Sequence, residues 1–193
     1  MILHANPLSQ GLIFDLDGTL IDSLELNWRA MDDALQRQGI VIPREEFVAM
    51  TGRALEEIAD ILVAKYKPDA DASAIVARKR EVANSHISDV QEITAVANVV
   101  RENYGVLPMA VGTGSDAFRA KAMLKSVGLL DFFDVIVSAD DVVNHKPAPD
   151  TFLRCAELMG LQPSVCEVFE DGDTGLRAAR TAGMLATDVR PFI

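Results

Sequence analysis

Two aspartates, Asp15 and Asp17, stand two residues apart at the point where a short apolar run ends. Residues 12–14 and Leu16 are typical of a buried strand in an α/β sheet, and Gly18 predicts a turn out of it. Ligands of such sheets bind at the carboxyl ends of the strands, so both carboxylates can reach one substrate. The pair could serve as a nucleophile and its proton carrier. The alternative is a plain turn at Asp17 and Gly18, which carries no chemistry.

Two carboxylates this close repel each other, and burying them without a partner is costly. A positive charge is therefore expected between them, and a divalent metal is the simplest candidate. A second acidic segment offers further ligands, because Glu170, Asp171 and Asp173 follow an apolar run over residues 165–169 that predicts another strand. Magnesium prefers oxygen ligands and keeps several waters, so a few carboxylates and a substrate phosphate suffice to hold it.

Two more segments place polar residues after apolar runs. Residues 108–112 predict a strand that ends at Thr113, with a helix opening near Asp116. A hydroxyl and the backbone N–H groups at a helix start commonly hold anions, although a plain strand-to-helix turn gives the same pattern. Lys146 precedes two nearby prolines, which favour an extended segment and then a helix. Its ammonium could neutralise an anion, and the alternative is a lysine in a solvated loop.

These four segments, in this order, resemble the motifs of the haloacid dehalogenase superfamily. The first motif of that family is an apolar run followed by Asp-x-Asp-x-Thr, matched here by Asp15, Asp17 and Thr19. The resemblance implies that Asp15 attacks phosphorus to form an aspartyl phosphate, and that Asp17 protonates the leaving alcohol and later activates water. It also argues against a dehalogenase, because cleavage of a carbon–halogen bond has no leaving group that needs a proton from Asp17.

The same resemblance assigns the remaining roles. The catalytic residues it implies are Asp15, Asp17, Thr113 and Lys146, the last two holding the phosphoryl group. The Mg²⁺ ligands it implies are Asp15, the carbonyl of Asp17, Glu170 and Asp171.

A long segment, residues 22–90, is predicted to be almost wholly helical, with apolar residues at helical spacing. It leaves the core just after Asp17 and re-enters it before the second strand, so it is expected to lie over the catalytic site as a mobile cap domain. Residues 1–21 and 91–193 then form the catalytic core. The expected core is an α/β fold with a Rossmann-like, five-stranded parallel sheet near residues 12–15, 109–113, 135–138, 168–170 and 185–189. In the family its strand order is 3-2-1-4-5.

The runs over residues 109–115 and 145–152 look like those of small bacterial sugar phosphatases active on fructose 1-phosphate and 6-phosphogluconate, a branch beside the β-phosphoglucomutases. A mutase needs a cap histidine and arginine, and those positions are Asn27 and Leu55 here, with Arg53 nearby. Hydrolysis needs neither residue. A phosphosugar isomerase of the mutase type and a non-catalytic phosphosugar-binding protein are the alternatives. The expected substrate-binding residues are Gly114, Ser115, Asn27 and Arg53.

Composition narrows the class of partner. The formal net charge of the 193-residue chain is −11, from 18 basic and 29 acidic residues. This excess disfavours nucleic acid as a partner, because phosphate-backbone affinity draws on clustered Lys and Arg. No apolar run approaches the ~20 residues of a membrane helix, and the first residues lack a signal-peptide layout. We expect a cytoplasmic monomer that acts on a small phosphorylated metabolite.

Overall fold

The computed structural model of the protein describes residues 2–51 and 53–193. The chain divides into two compact units: one holds the residues up to Asp22 together with Val90–Ile193, and the other is Ser23–Asp89. That the second unit acts as a cap stays a prediction. Within the described residues, no helix combines the length and the apolar character needed to cross a membrane.

The first unit contains all the strands of the described chain. They are β1 (Gly11–Phe14), β2 (Ile21–Asp22), β3 (Gln91–Glu92), β4 (Met109–Gly112), β5 (Val135–Val137), β6 (Cys166–Glu170) and β7 (Leu185–Asp188). Five of them form a parallel sheet in the order β5-β4-β1-β6-β7, and β2 pairs with β3 as a small antiparallel ribbon. Numbered along the chain, the sheet strands run 3-2-1-4-5, so the predicted fold class and strand order are confirmed.

The central strands carry apolar residues on both faces because helices cover both sides of the sheet. All four residues of β1, all four of β4 and all five of β6 are buried. In the ladder, Phe14 stands level with Val111 of β4 and Phe169 of β6, and its ring stacks on that of Phe169 with centroids 4.9 Å apart. The residues that follow these three positions therefore leave the sheet at the same edge.

The predicted strands differ from the observed ones mainly at their ends. Asp15, Thr113, Ser138 and Val189 lie one residue beyond their strands, where the chain turns away from the ladder. Strand β6 begins at Cys166, inside the apolar run over residues 165–169 but two residues before the range 168–170 expected for the sheet, because Cys166 already pairs with Gly11. Gly18 does make the turn after β1, with a φ of 89° and its N–H donated to the carbonyl of Ile21.

The helices of the second unit are α1 (Leu24–Arg37), α2 (Arg44–Val48), α3 (Leu55–Tyr66) and α4 (Ala72–Ser85). Their apolar faces share one core around Met31, Leu35 and Leu62, all fully buried. Trp28 packs against that core and its ring lies 5.8 Å from the ring of Phe47. Helical spacing of apolar residues is thus used here for packing.

The helices of the first unit are α5 (Thr94–Asn103), α6 (Ala117–Ser126), α7 (Asp150–Met159) and α8 (Asp173–Thr181). Helix α6 begins after Asp116, whose carboxylate accepts the backbone N–H of Arg119 at 2.8 Å, as an N-cap residue does. Helices α7 and α8 pack on the sheet around Ile13, Val168 and Cys155. Cys155 and Cys166 are buried free thiols, and burial raises the pKa of Cys155 to about 12, so its thiolate is disfavoured.

Candidate active site

Three side chains meet where β1 and β6 end. Asp15 follows β1, Glu170 is the last residue of β6, and Lys146 reaches both from the segment before α7. The Nζ atom of Lys146 donates to Oδ1 of Asp15 at 2.6 Å and to Oε2 of Glu170 at 2.8 Å. The three side chains are only 5–12% exposed. Lys146 also lies over the ring of Phe152, 4.5 Å from its centroid, so it is not a solvated loop residue.

The charges at this point do not balance. Burial, and then the carboxylate of Glu170, raise the pKa of Asp15 well above its usual range. Burial and Glu170 likewise raise the pKa of Asp171. For Lys146, burial works in the opposite direction, but Asp15 and Glu170 raise its pKa above the ordinary lysine value, so the ammonium stays charged. One ammonium therefore faces several carboxylates, and the site is short of positive charge.

The deficit of positive charge is what a cation-binding site would show. Asp15, Glu170 and Asp171 each offer one carboxylate oxygen, and these atoms lie within 4.8 Å of one another. Asp171 is held in place by Thr19, whose hydroxyl donates to Oδ1 at 2.8 Å. The donors are all hard oxygens in an excess of negative charge, which fits Mg²⁺ rather than a metal that prefers nitrogen or sulfur.

Two glycines let the acidic side chains reach this cluster. A Cβ atom at Gly18 would overlap the carboxylate of Asp171, and one at Gly175 in α8 would overlap that of Glu170. Glu170 has little room to move away, since its Oε1 accepts the N–H of Gly172 at 2.9 Å while Oε2 binds Lys146. Gly175 therefore requires glycine for close approach, and Gly18 requires it both for close approach and for its φ of 89°.

The carboxylate of Asp17 is directed toward the segment between β4 and α6. Its Oδ2 accepts the hydroxyl of Ser115 at 2.7 Å, and its Oδ1 lies 3.8 Å from the guanidinium of Arg119. The side chain is 28% exposed, so a substrate can reach it. Asp17 is not part of the cluster formed by Asp15, Glu170 and Asp171, and the contribution of its carbonyl to a metal site stays a prediction.

Thr113 lies directly after β4 and is buried. Its Oγ1 accepts the backbone N–H of Ser115 at 3.0 Å, which orients the hydroxyl so that its own proton can be donated to an anion. Gly114 is exposed, and a Cβ there would meet no described atom within 4 Å. Thr113, Gly114 and Ser115 therefore line the same edge of the sheet as Asp17.

The remaining predicted residues, Asn27 and Arg53, belong to the second unit. The side-chain oxygen of Asn27 accepts from Nζ of Lys79 at 2.7 Å, and its amide nitrogen donates to the hydroxyl of Ser23 at 3.2 Å. Arg53 forms an ion pair with Glu57. Substrate binding by Asn27 and Arg53 stays a prediction.

Sequence reasoning missed Arg119. It is one of the least exposed charged residues of the described chain, with 8% of its side chain accessible. A signal was present in the sequence: Arg119 follows Ser115 by four residues, about one helical turn, and a cation in the first turn of a helix opposes the helix dipole. Such a placement indicates a specific acidic partner.

Comparison with known proteins agrees with this geometry. The family model of haloacid dehalogenase-like hydrolases matches residues 12–189. The chain is 43% identical over 180 residues to fructose-1-phosphate phosphatase YqaB of Escherichia coli, covering 93% of this chain and 96% of that protein. It is 32% identical over 176 residues to hexitol phosphatase A of Escherichia coli, covering 90% and 80%. A crystal structure of β-phosphoglucomutase from Clostridium difficile has a TM-score of 0.80 at 22% identity, covering 93% and 84%.

The chain belongs to the haloacid dehalogenase-like hydrolase family. The two relatives named from Escherichia coli are phosphatases, consistent with an enzyme that hydrolyses phosphoric monoesters. The likeness to the mutase structure concerns the fold alone.

Proposed function

We propose that the protein is a Mg²⁺-dependent phosphatase of small sugar phosphates that works through an aspartyl phosphate on Asp15. The observation that carries the proposal is the position of Asp15, at the end of the central strand with the Lys146 ammonium 2.6 Å away and the acidic pair Glu170 and Asp171 beside it. A phosphate monoester brings negative charge to a carboxylate nucleophile, so attack requires compensating positive charge; Lys146 supplies one such charge, and a cation held by the acidic residues would supply more. When bound, Mg²⁺ supplies further charge to offset the carboxylates and the phosphoryl oxygens.

The first half-reaction uses both aspartates. An oxygen of Asp15 attacks phosphorus, and the bond between phosphorus and the sugar oxygen breaks. Asp17 gives its proton to that oxygen, so the product leaves as a neutral alcohol. Lys146 and the hydroxyl of Thr113 bind the phosphoryl oxygens during the transfer.

The second half-reaction regenerates the enzyme. Asp17, now a carboxylate, takes a proton from a water molecule whose oxygen attacks the phosphorus of the aspartyl phosphate. The bond between phosphorus and Asp15 breaks, and inorganic phosphate leaves. Because the same carboxyl donates and then accepts a proton, it needs a fixed orientation toward the phosphoryl group in both steps.

The proposed substrates are fructose 1-phosphate and sugar phosphates of similar size, such as 6-phosphogluconate. The 43% identity to fructose-1-phosphate phosphatase YqaB, over nearly the full length of both chains, supports this substrate class. Mutase activity is less well supported. A mutase needs a titrating relay, and Asn27 carries an amide whose oxygen is engaged by Lys79.

The test is a screen for phosphate release with fructose 1-phosphate, 6-phosphogluconate and β-glucose 1-phosphate, each with Mg²⁺ and with EDTA. Metal-dependent release from the first two is the expected result and ranks the substrates. Conversion of β-glucose 1-phosphate to glucose 6-phosphate without net phosphate release, once a bisphosphate primer is added, would replace the phosphatase with a mutase.

A further inference from the structure

The contacts of Asp17 suggest a further residue for the reaction. Arg119 lies in the first turn of α6, where the helix dipole disfavours a cation. Its side chain is 8% exposed, and burying a guanidinium is costly unless it faces an anion. The carboxylate that it reaches is that of Asp17, at 3.8 Å. This distance is too long for a hydrogen bond, so the contact is electrostatic.

Ser115 completes the arrangement from the loop before α6. Its hydroxyl donates to Oδ2 of Asp17 at 2.7 Å, while Arg119 faces Oδ1. Both backbone polar groups of Ser115 are hydrogen-bonded. Its N–H donates to Oγ1 of Thr113 at 3.0 Å, and its carbonyl accepts the N–H of Ala139 at 2.9 Å. Each oxygen of the Asp17 carboxylate therefore has its own partner on a rigid segment.

We infer that Arg119 is a positioning residue, which acts with Ser115 to hold the carboxyl of Asp17 toward the leaving oxygen of the substrate. This inference rests on the proposed function, because it gives Arg119 a role only through the proton transfers of Asp17. The 2.7 Å bond to Ser115 fixes one oxygen, and the charge of Arg119 draws the other toward α6, so rotation of the carboxyl is restricted. Misplacement of a catalytic group by about 1 Å can cost on the order of 100-fold in rate.

A positioning role for Arg119 can be distinguished from a purely structural one by how the loss of activity depends on the leaving group of the substrate. A sugar alkoxide leaves only if it is protonated, whereas 4-nitrophenolate leaves without a proton. If Arg119 orients the proton donor, Arg119→Met lowers kcat/KM for fructose 1-phosphate by about 10- to 100-fold and that for 4-nitrophenyl phosphate by less than about threefold. Arg119→Lys, which keeps the charge, recovers part of the loss. Lys125→Met, an exposed lysine in the last turn of the same helix, is the matched control and leaves both values unchanged.

Two further variants complete the test, and the first of them does not depend on how well Arg119→Met folds. Ser115→Ala removes the other contact at a partly exposed position and is expected to show the same selective loss. In an Asp17→Asn background, Arg119→Met is expected to cause no further loss, because the group that it positions is gone. Equal losses with both substrates, or an undiminished effect in the Asp17→Asn background, would overturn the inference. Absence of phosphate release by the wild-type protein would overturn the proposed function instead.

Discussion

Lys146 lies between the buried carboxylates of Asp15 and Glu170, with Asp171 close by. Attraction in such a place is offset by the cost of removing the groups from water, so the ion pairs are poor evidence of stabilisation on their own. Their value lies in function, since they keep an ammonium beside the proposed nucleophile. Removing the ammonium leaves its partners buried without compensation.

Lys146→Met should destabilise the protein by about 3–5 kcal/mol in EDTA, because Asp15 and Glu170 lose their counter-charge. The loss of stability should be larger at neutral than at mildly acidic pH. Burial raises the pKa of Asp15, so its carboxyl is neutral in acid and becomes a buried charge without a partner as the pH rises. Urea unfolding at the two pH values measures this, with Lys125→Met as control. A variant with wild-type stability in EDTA at neutral pH would contradict the charge balance described here.

Asp15→Asn should abolish phosphate release, by on the order of 10⁴-fold or more, because an amide cannot form the covalent intermediate. The fold should persist, since the substitution keeps the shape of a buried side chain. Activity assays and a thermal melt measure the two effects. Asp134→Asn, at an exposed position just before β5, is the control with full activity. Retained turnover in Asp15→Asn would remove Asp15 from its proposed role.

The end of β6 and the start of α8 pack around one carboxylate, that of Glu170. Glu170 packs against Gly175, in the first turn of that helix. An alanine normally stabilises a helix interior by about 1 kcal/mol relative to glycine. Here a methyl group would overlap a side chain that is anchored to Lys146 and to the N–H of Gly172.

Gly175→Ala should therefore destabilise the protein, by about 1–3 kcal/mol, as overpacking does. In a Glu170→Ala background the overlap disappears, and the same substitution should become neutral or stabilising. A double-mutant cycle by urea unfolding tests the change of sign. Equal effects in the two backgrounds would show that Gly175 is not required by Glu170.

The elements that could be predicted are those whose sequence signal is local. Strands β1 and β4 are short apolar runs, and the cap of α6 is an Asp directly before the helix. The contacts between Arg119 and Asp17 could not be predicted, because they join residues about 100 positions apart and depend on which strands are neighbours. The requirement for glycine at position 175 could not be predicted either, because it depends on the distance between Gly175 and the side chain of Glu170 in the fold, which the spacing of residues in the sequence does not give.

The whole molecule has a net charge of −11, and three of its acidic residues, Asp15, Glu170 and Asp171, lie together at one edge of the sheet, where Asp15 and Glu170 are buried. A cation that binds there stabilises the folded state, because the unfolded chain offers no preformed set of ligands.

Mg²⁺ at about 100 times its dissociation constant should add about 2.7 kcal/mol of stability. For a chain of this size that corresponds to a rise in Tm of roughly 5–10 °C. Asp171→Asn should lose most of the shift, because it removes a proposed ligand. Thermal melts with and without Mg²⁺ compare the two proteins, with Asp134→Asn expected to keep the full shift. Equal shifts in wild type and Asp171→Asn would contradict the proposed metal site.

The most direct test of the aspartyl phosphate is acid quenching during turnover of fructose 1-phosphate, followed by mass spectrometry of the digested protein. We expect one phosphoryl group on the peptide that contains Asp15, present in wild type and absent in Asp15→Asn. A phosphoryl group on another residue, or single-turnover release of phosphate with no phosphopeptide at any quench time, would contradict the account.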